Sequence, residues 1–134
     1  MDQRLEEVVI AYLDTHVAVW LHAGMVERLS AQARKLINAN DLLISPMVLL
    51  EFQYLHDRKR IGVAPVSLYS DLTADFGVLL CNFPFPAIAM EALTTTWTSD
   101  PFDRIIVAHA KANHEAQLIT ADTAIRRHYH HAMW

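Results

Sequence analysis

"DLLISPMVLLEFQYLHDRKR", residues 41–60, is the stretch whose reading decides the fold. Its first five residues, DLLIS (41–45), form a short apolar run that suits a buried strand. Ser45 then offers a hydroxyl to the unpaired N–H groups of a helix start. Pro46, with no N–H to lose, takes the first helical position. The spacing predicts a helix through MVLLEFQYLHDRKR to Gly62. A strand feeding directly into a helix is half of a βαβ unit, and the rest of the chain repeats the pattern. VVIAYLD (8–14), VLLC (78–81) and AQLITAD (116–122) read as further strands. SAQARKLINAN (30–40), residues 65–75 with Gly77 as stop, PAIAMEALTTT (86–96), residues 101–114 and the basic TAIRRHYHH (123–131) read as helices. The alternation predicts an α/β fold: a parallel sheet of four to five strands flanked by helices on both faces.

Composition narrows the class. A chain of 134 residues suits a single domain over 1–134, large enough to bury a core without disulfides or a structural metal. With 53 % apolar and 19 % charged residues it is not a disordered chain. The single cysteine, Cys81, excludes a disulfide framework and suits a reducing cytoplasm. Asp2, Glu6 and Glu7 ahead of a short apolar run argue against a signal peptide, and no apolar stretch is long enough to span a membrane. Three glycines, with no GxGxxG or GxxxxGK[ST], leave no nucleotide-cradling loop. The net charge of −4 means that any contact with nucleic acid depends on a local basic patch or on bound cations.

The acidic residues carry the chemical signal. Asp14 and Asp122 close the first and fourth predicted strands, at the sheet edge where open α/β sheets bind ligands. Glu51 sits among Met47, Val48, Tyr54 and Leu55 at helical spacing. In TSDPFDRIIVAHA (98–110), Asp100 fits the role of a helix cap ahead of Pro101. Asp103 instead shares a stripe with the apolar Ile106, Val107 and Ala110. Each acid has an ordinary explanation as a cap or an edge residue. Four such acids from four separate segments point instead to convergence on one site. Crowded carboxylates raise one another's pKa unless a cation neutralises them, and oxygen-only ligands select Mg²⁺ or Mn²⁺ over zinc. That donor set suits phosphodiester hydrolysis, with one ion or with two held about 3.5–4 Å apart.

YLDTHVAVWL, ISPMVLLEFQYL, SDPFDRIIVAHA and LITAD, taken together, resemble the four motifs of PIN-domain ribonucleases, in particular VapC-type toxins of bacterial toxin–antitoxin pairs. The resemblance covers nearly the whole chain. It implies that Asp14, Glu51, Asp103 and Asp122 are the catalytic, metal-binding quartet. Thr15 matches the family's small hydroxyl residue beside the first acid, and Thr120 matches a hydroxyl position two before the last. It also implies endoribonuclease activity on structured RNA, a homodimer, and inhibition by a cognate antitoxin protein. Ala121 departs from the basic or polar residue common at its position.

Other features carry less. Asp100, Arg104, Arg126 and Arg127, with the run HDRKR (56–60), are candidates for substrate contact, although helix capping and dipole complementarity also explain several of them. HYHH (128–131) matches no standard zinc spacing and reads as a surface cluster. His16, close to Asp14, reads as packed or exposed ahead of substrate contact; Trp20, Trp97 and the Phe83/Phe85 pair read as core or dimer interface ahead of base-stacking platforms. The rival classes are a Mg²⁺-dependent phosphoryl-transfer enzyme of another α/β family and an inactive PIN-like binding module. Phosphatases of the haloacid-dehalogenase type want a second aspartate two residues after the first, where this chain has His16. A receiver domain wants an acidic pair near the end of its first strand, where only Asp14 stands.

Overall fold

The computed structural model describes residues 9–134. Val8 of the first predicted strand and the acidic residues read against a leader lie outside the described residues. The elements are β1 (Ile10–Leu13), α1 (Thr15–Ala23), a 3-10 turn (Val26–Arg28), α2 (Ala31–Ala39), β2 (Asp41–Ile44), α3 (Pro46–Asp57), α4 (Pro65–Phe76), β3 (Leu79–Leu80), α5 (Phe85–Ala92), α6 (Pro101–Ala112), β4 (Gln117–Ile119), α7 (Thr123–His128) and β5 (Ala132–Met133). The five strands form one parallel sheet in the order β3-β2-β1-β4-β5. Successive residues Ala11, Tyr12 and Leu13 of the central strand are all fully buried. Neighbouring strand side chains point to opposite faces, so both faces of the sheet are covered. The α/β class and the parallel sheet are those the alternation predicts, with the strand count at the top of its range.

The differences are local and have physical causes. The helix read from Pro46 to Gly62 stops at Asp57. Lys59 adopts φ 58°, and the Arg60 and Lys59 N–H groups bond back to the Leu55 and His56 carbonyls at 2.9 and 3.0 Å. This is the usual left-handed helix stop, made by a lysine where glycine is the common signal. The final helix ends at His128 rather than at residue 131, because the buried Tyr129 sends its hydroxyl to the Ala116 carbonyl (2.5 Å) and turns the chain into β5. Helix α5 ends at Ala92, four residues early. Helix α1 has no counterpart in the pattern reading. THVAVWLHA has little amphipathic contrast, although Asp14 caps it and Gly24, at φ 71°, closes it.

Two helices that later position acids start as the sequence predicts. Ser45 Oγ accepts from Met47 N (3.1 Å) at the head of α3, with Pro46 at the first position. Asp100 Oδ1 accepts from Phe102 N (2.8 Å) at the head of α6.

Candidate functional site

Strand order reverses direction at β1, which has β2 on one side and β4 on the other. The crevice beyond the carboxyl ends of strands at such a point is where open parallel sheets place ligands. Here β1 runs into Asp14, and β4 runs into Thr120 and Asp122. The Asp14 N–H bonds to the Ile119 carbonyl (3.0 Å), extending the ladder by one rung and fixing both strand ends side by side.

A cavity of about 340 Å³ opens at this edge, lined by Asp14, Glu51, Asp100, Asp103 and Asp122 together with His16, Trp20 and Ala121. The structure therefore brings the four predicted acids to one pocket and adds Asp100 to them. The ordinary explanations of these residues hold as well. Asp14, Asp100 and Asp122 each cap a helix through an N–H bond to the side chain, from Thr15 (2.8 Å), Phe102 (2.8 Å) and Ile125 (3.0 Å). Capping and convergence are one arrangement. The N-termini of α1 and α6 face the pocket, and their partial positive charge partly offsets the carboxylates.

Each acid has its own fixing. Asp14 is 8 % exposed, with Oδ1 held by Thr15 N and Oδ2 by the fully buried Thr120 hydroxyl (2.6 Å). Thr120 Oγ1 also accepts from Asp122 N (3.0 Å), so one threonine serves two of the acids. The buried Thr15 hydroxyl donates to Glu51 Oε1, joining the end of β1 to α3. Around Asp103 the fixing is in the backbone. The Thr98 hydroxyl accepts from Asp100 N (3.1 Å), Asp100 Oδ1 accepts weakly from Asp103 N (3.4 Å), and Arg104 Nε donates to the Thr98 carbonyl (2.7 Å). Arg104 thus braces the loop that leads into α6. Among the described residues no donor meets the Asp103 carboxyl itself.

The electrostatics follow from burial and crowding. Burial raises the Asp14 pKa, opposed by the bonds from Thr120 and Thr15. Burial likewise raises that of Glu51, with the Thr15 bond opposing and the Asp14 charge adding. Asp103, with no such bond, is pushed up to about 7 by burial and then by Asp100, Asp14, Asp122 and Glu51.

Hard carboxylate oxygens on several sides of one pocket are the donor chemistry of Mg²⁺ or Mn²⁺. As the side chains stand, no three acidic, histidine or cysteine groups among the described residues are close enough to hold one ion. Ligation would require side-chain rotation, which the Asp103 carboxyl, unbonded among the described residues, allows.

His16, read as packed or exposed, is exposed on the pocket rim. Its place next to Asp14 at the start of α1 was the available signal. Trp20 packs against the core, as read, and also lines the pocket. Both residues continue into a neighbouring cavity of about 380 Å³, bordered by Arg28 and Arg60. Arg28 lies 5.7 Å from the Trp20 ring centre, and Arg58 stacks 4.5 Å over Tyr54. Arg126 and Arg127 are exposed on α7 and line a separate cavity. Phe85 is exposed, and Trp97 stacks on His128 at 4.9 Å. His128 and His130 are exposed, His131 is half-buried, and they form no three-residue metal cluster.

Comparison with known proteins assigns the class. The PIN domain family matches residues 11–130, and the chain belongs to that family. The fold is similar to that in the crystal structure of VapBC2 from Rickettsia felis bound to a DNA fragment from their promoter. That match has a TM-score of 0.60 and 20 % identity, covering 89 % of this chain and 92 % of the other. It is also similar to DNA-bound VapBC from Salmonella typhimurium, with a TM-score of 0.51, 17 % identity, and coverage of 88 % and 89 %. No curated protein matches the sequence. No helix among the described residues is long and apolar enough to cross a membrane.

Proposed function

We propose that this PIN-family chain is a metal-dependent endoribonuclease of the VapC toxin type, cutting phosphodiester bonds in structured RNA such as tRNA or rRNA. The observation that carries the reading is the acidic pocket: Asp14, Glu51, Asp103 and Asp122, from four separate segments, line one cavity at the carboxyl edge of a parallel sheet. A Mg²⁺ or Mn²⁺ ion bound there supplies Lewis acidity toward the scissile phosphate and lowers the pKa of a bound water. Asp14, held by Thr15 and Thr120, is the fixed ligand, and Thr15 orients Glu51 toward it. Asp103, at the head of α6, would supply a further carboxylate to the ion. Asp122 stays at the rim, steadied as the cap of α7.

A polyanionic substrate must approach a chain of net charge −4. Arg28 and Arg60 border the cavity that adjoins the acidic pocket at His16 and Trp20, and they form the local basic surface such an approach needs. In this reading the protein is a single cytoplasmic domain that works as a homodimer. A cognate antitoxin covers the acidic pocket and presents an arginine or lysine to the carboxylates. The two solved structures described above are VapBC complexes, which supports the antitoxin partner.

The test is brief expression of wild type and of Asp14→Asn, with cellular RNA ends mapped afterwards. Discrete new ends that appear only with wild type, and vanish when the purified protein is given chelator, support the reading. Identical RNA ends from both proteins overturn it and leave an inactive binding module.

A further inference from the structure

We propose that His109 is a positioning residue for the acidic pocket, acting through a buried hydrogen bond to Ser45 that sets α3 against α6. Resting on the nuclease reading only for its consequence in activity, the tie itself is geometric. Ser45 is fully buried and His109 is 2 % exposed, and Ser45 Oγ lies 2.8 Å from His109 Nδ1. Ser45 opens α3, the helix of Glu51; His109 sits near the end of α6, the helix of Asp103. At the opposite ends, the Tyr54 and Phe102 rings meet at 5.8 Å. The two helices therefore run antiparallel and are fastened near both ends, with Glu51 and Asp103 between the fastenings.

Only one of the two fastenings is demanding. Apolar side chains slide past one another with little change in burial, whereas a hydrogen bond weakens steeply with distance and angle. Separating Ser45 from His109 leaves each buried group only the partner within its own helix, the Met47 N–H for Ser45 and the Ile105 carbonyl for His109. The one polar bond between the two side chains is lost, so a single register of the helices is preferred. Burial lowers the His109 pKa, which favours the neutral ring. Its Nδ1 also lies 3.2 Å from the Ile105 carbonyl, and this places the proton on Nδ1, pointing toward Ser45 and Ile105. Ser45 keeps its second task, accepting from Met47 N at the head of α3. A shift of α3 along α6 moves Glu51 relative to Asp103, and this is how a residue outside the pocket acts on it. Partners that orient metal ligands in this way typically affect affinity or rate by about 10- to 100-fold.

Three variants isolate the tie. His109→Leu removes the bond and keeps an apolar volume. His109→Asn keeps a donor near the Nδ1 position. Ser45→Gly removes the hydroxyl from the other side while remaining an acceptable helix cap. Proton–proton Overhauser contacts between the Tyr54 and Phe102 rings report the helix register without metal or RNA. Titration calorimetry with Mn²⁺, and kcat and KM on an end-labelled hairpin RNA, report the pocket. We expect His109→Leu and Ser45→Gly to weaken the ring contacts, lower Mn²⁺ affinity and kcat by about tenfold or more, and leave KM near wild type. His109→Asn should recover most of each loss, and the Leu/Gly double variant should be no worse than either single one. Unchanged ring contacts in both His109→Leu and Ser45→Gly overturn the proposal; if His109→Leu does not fold, Ser45→Gly decides alone. A wild type that neither binds Mn²⁺ nor cuts the RNA overturns the nuclease reading, and the ring contacts then still decide whether the tie sets the helix register.

Discussion

The Thr120 hydroxyl donates a 2.6 Å hydrogen bond to Oδ2 of Asp14, joining residues 106 positions apart at the carboxyl ends of two adjacent strands. Both side chains are buried, and the same hydroxyl oxygen accepts from Asp122 N. Thr120→Val keeps the shape and removes both bonds. A hydrogen bond to a charged group is worth roughly 1.5–3 kcal/mol, so the melting temperature should fall by about 5–10 °C. The Thr120 bond opposes the rise in the Asp14 pKa, so its loss raises that pKa further. A raised carboxylate pKa means stability lost as pH rises, so the deficit of Thr120→Val should be larger at pH 7 than at pH 4. Thr120→Ser should recover most of it. Thermal melts across that pH range check the prediction; a deficit independent of pH would mean that Asp14 does not depend on the threonine.

Asp14→Asn separates structure from chemistry. Asparagine caps a helix as well as aspartate does, and its amide oxygen can still accept from Thr15 N. The exchange also removes a buried charge whose pKa is raised by desolvation. The amide nitrogen that replaces Oδ2 cannot accept from Thr120, so that lost bond offsets the gain from removing the charge. The expected protein is folded, with a melting temperature within a few degrees of wild type in chelator, and with RNA cleavage reduced by orders of magnitude. Cleavage close to the wild-type rate in Mg²⁺ would remove Asp14 from the catalytic set.

How much of this was legible in the sequence depended on how local the signal was. The Ser45–Pro46 helix start and the Asp100–Pro101 start are written in neighbouring residues, and both lie where the pattern puts them. The stop at Lys59 is equally local but carries no glycine, so composition gave no warning of it. The convergence of the acids was readable in outline, because parallel strands bring their carboxyl ends to one edge whatever their order. The Ser45–His109 bond was not readable. It spans 64 positions, and a serine already explained as a cap advertises no second partner.

The basic run 58–60 contains three different situations. Arg58 stacks on Tyr54, Arg60 borders the cavity beside the acidic pocket, and Lys59 holds a left-handed backbone conformation. Lys59→Gly relieves that backbone and should raise stability by about 0.5–1 kcal/mol. Combined with Arg58→Ala and Arg60→Ala it should still fold and bind RNA more weakly. Its salt dependence should flatten by up to about one unit of slope for each phosphate that is no longer neutralised. Fluorescence anisotropy with labelled RNA over a range of salt concentrations measures this. An unchanged slope would assign these residues to closing the helix and not to the substrate.

Asp103 differs from its neighbours in that no hydrogen-bond donor among the described residues meets its carboxyl, and burial and crowding raise its pKa. Burial and four surrounding carboxylates push its pKa from 3.8 up to about 7. Between those values the folded chain binds a proton that the unfolded chain has released. The stabilising contribution is therefore complete below about pH 4 and is lost as pH rises through about 7. Asp103→Asn removes the charge at nearly constant volume. At pH 8 in chelator it should melt several degrees above wild type, and at pH 4 the two should nearly coincide. A cation that binds only the folded cluster stabilises wild type in proportion to the logarithm of its concentration above Kd. Added Mg²⁺ should therefore narrow or reverse the gap at pH 8, while the variant responds weakly and cuts RNA hardly at all. Melts at both pH values, with chelator and across a Mg²⁺ series, separate the cases. If Asp103→Asn is less stable than wild type in chelator at pH 8 and responds equally to Mg²⁺, the carboxylate of Asp103 is an ordinary helix-start acid and the pocket holds its cation without it.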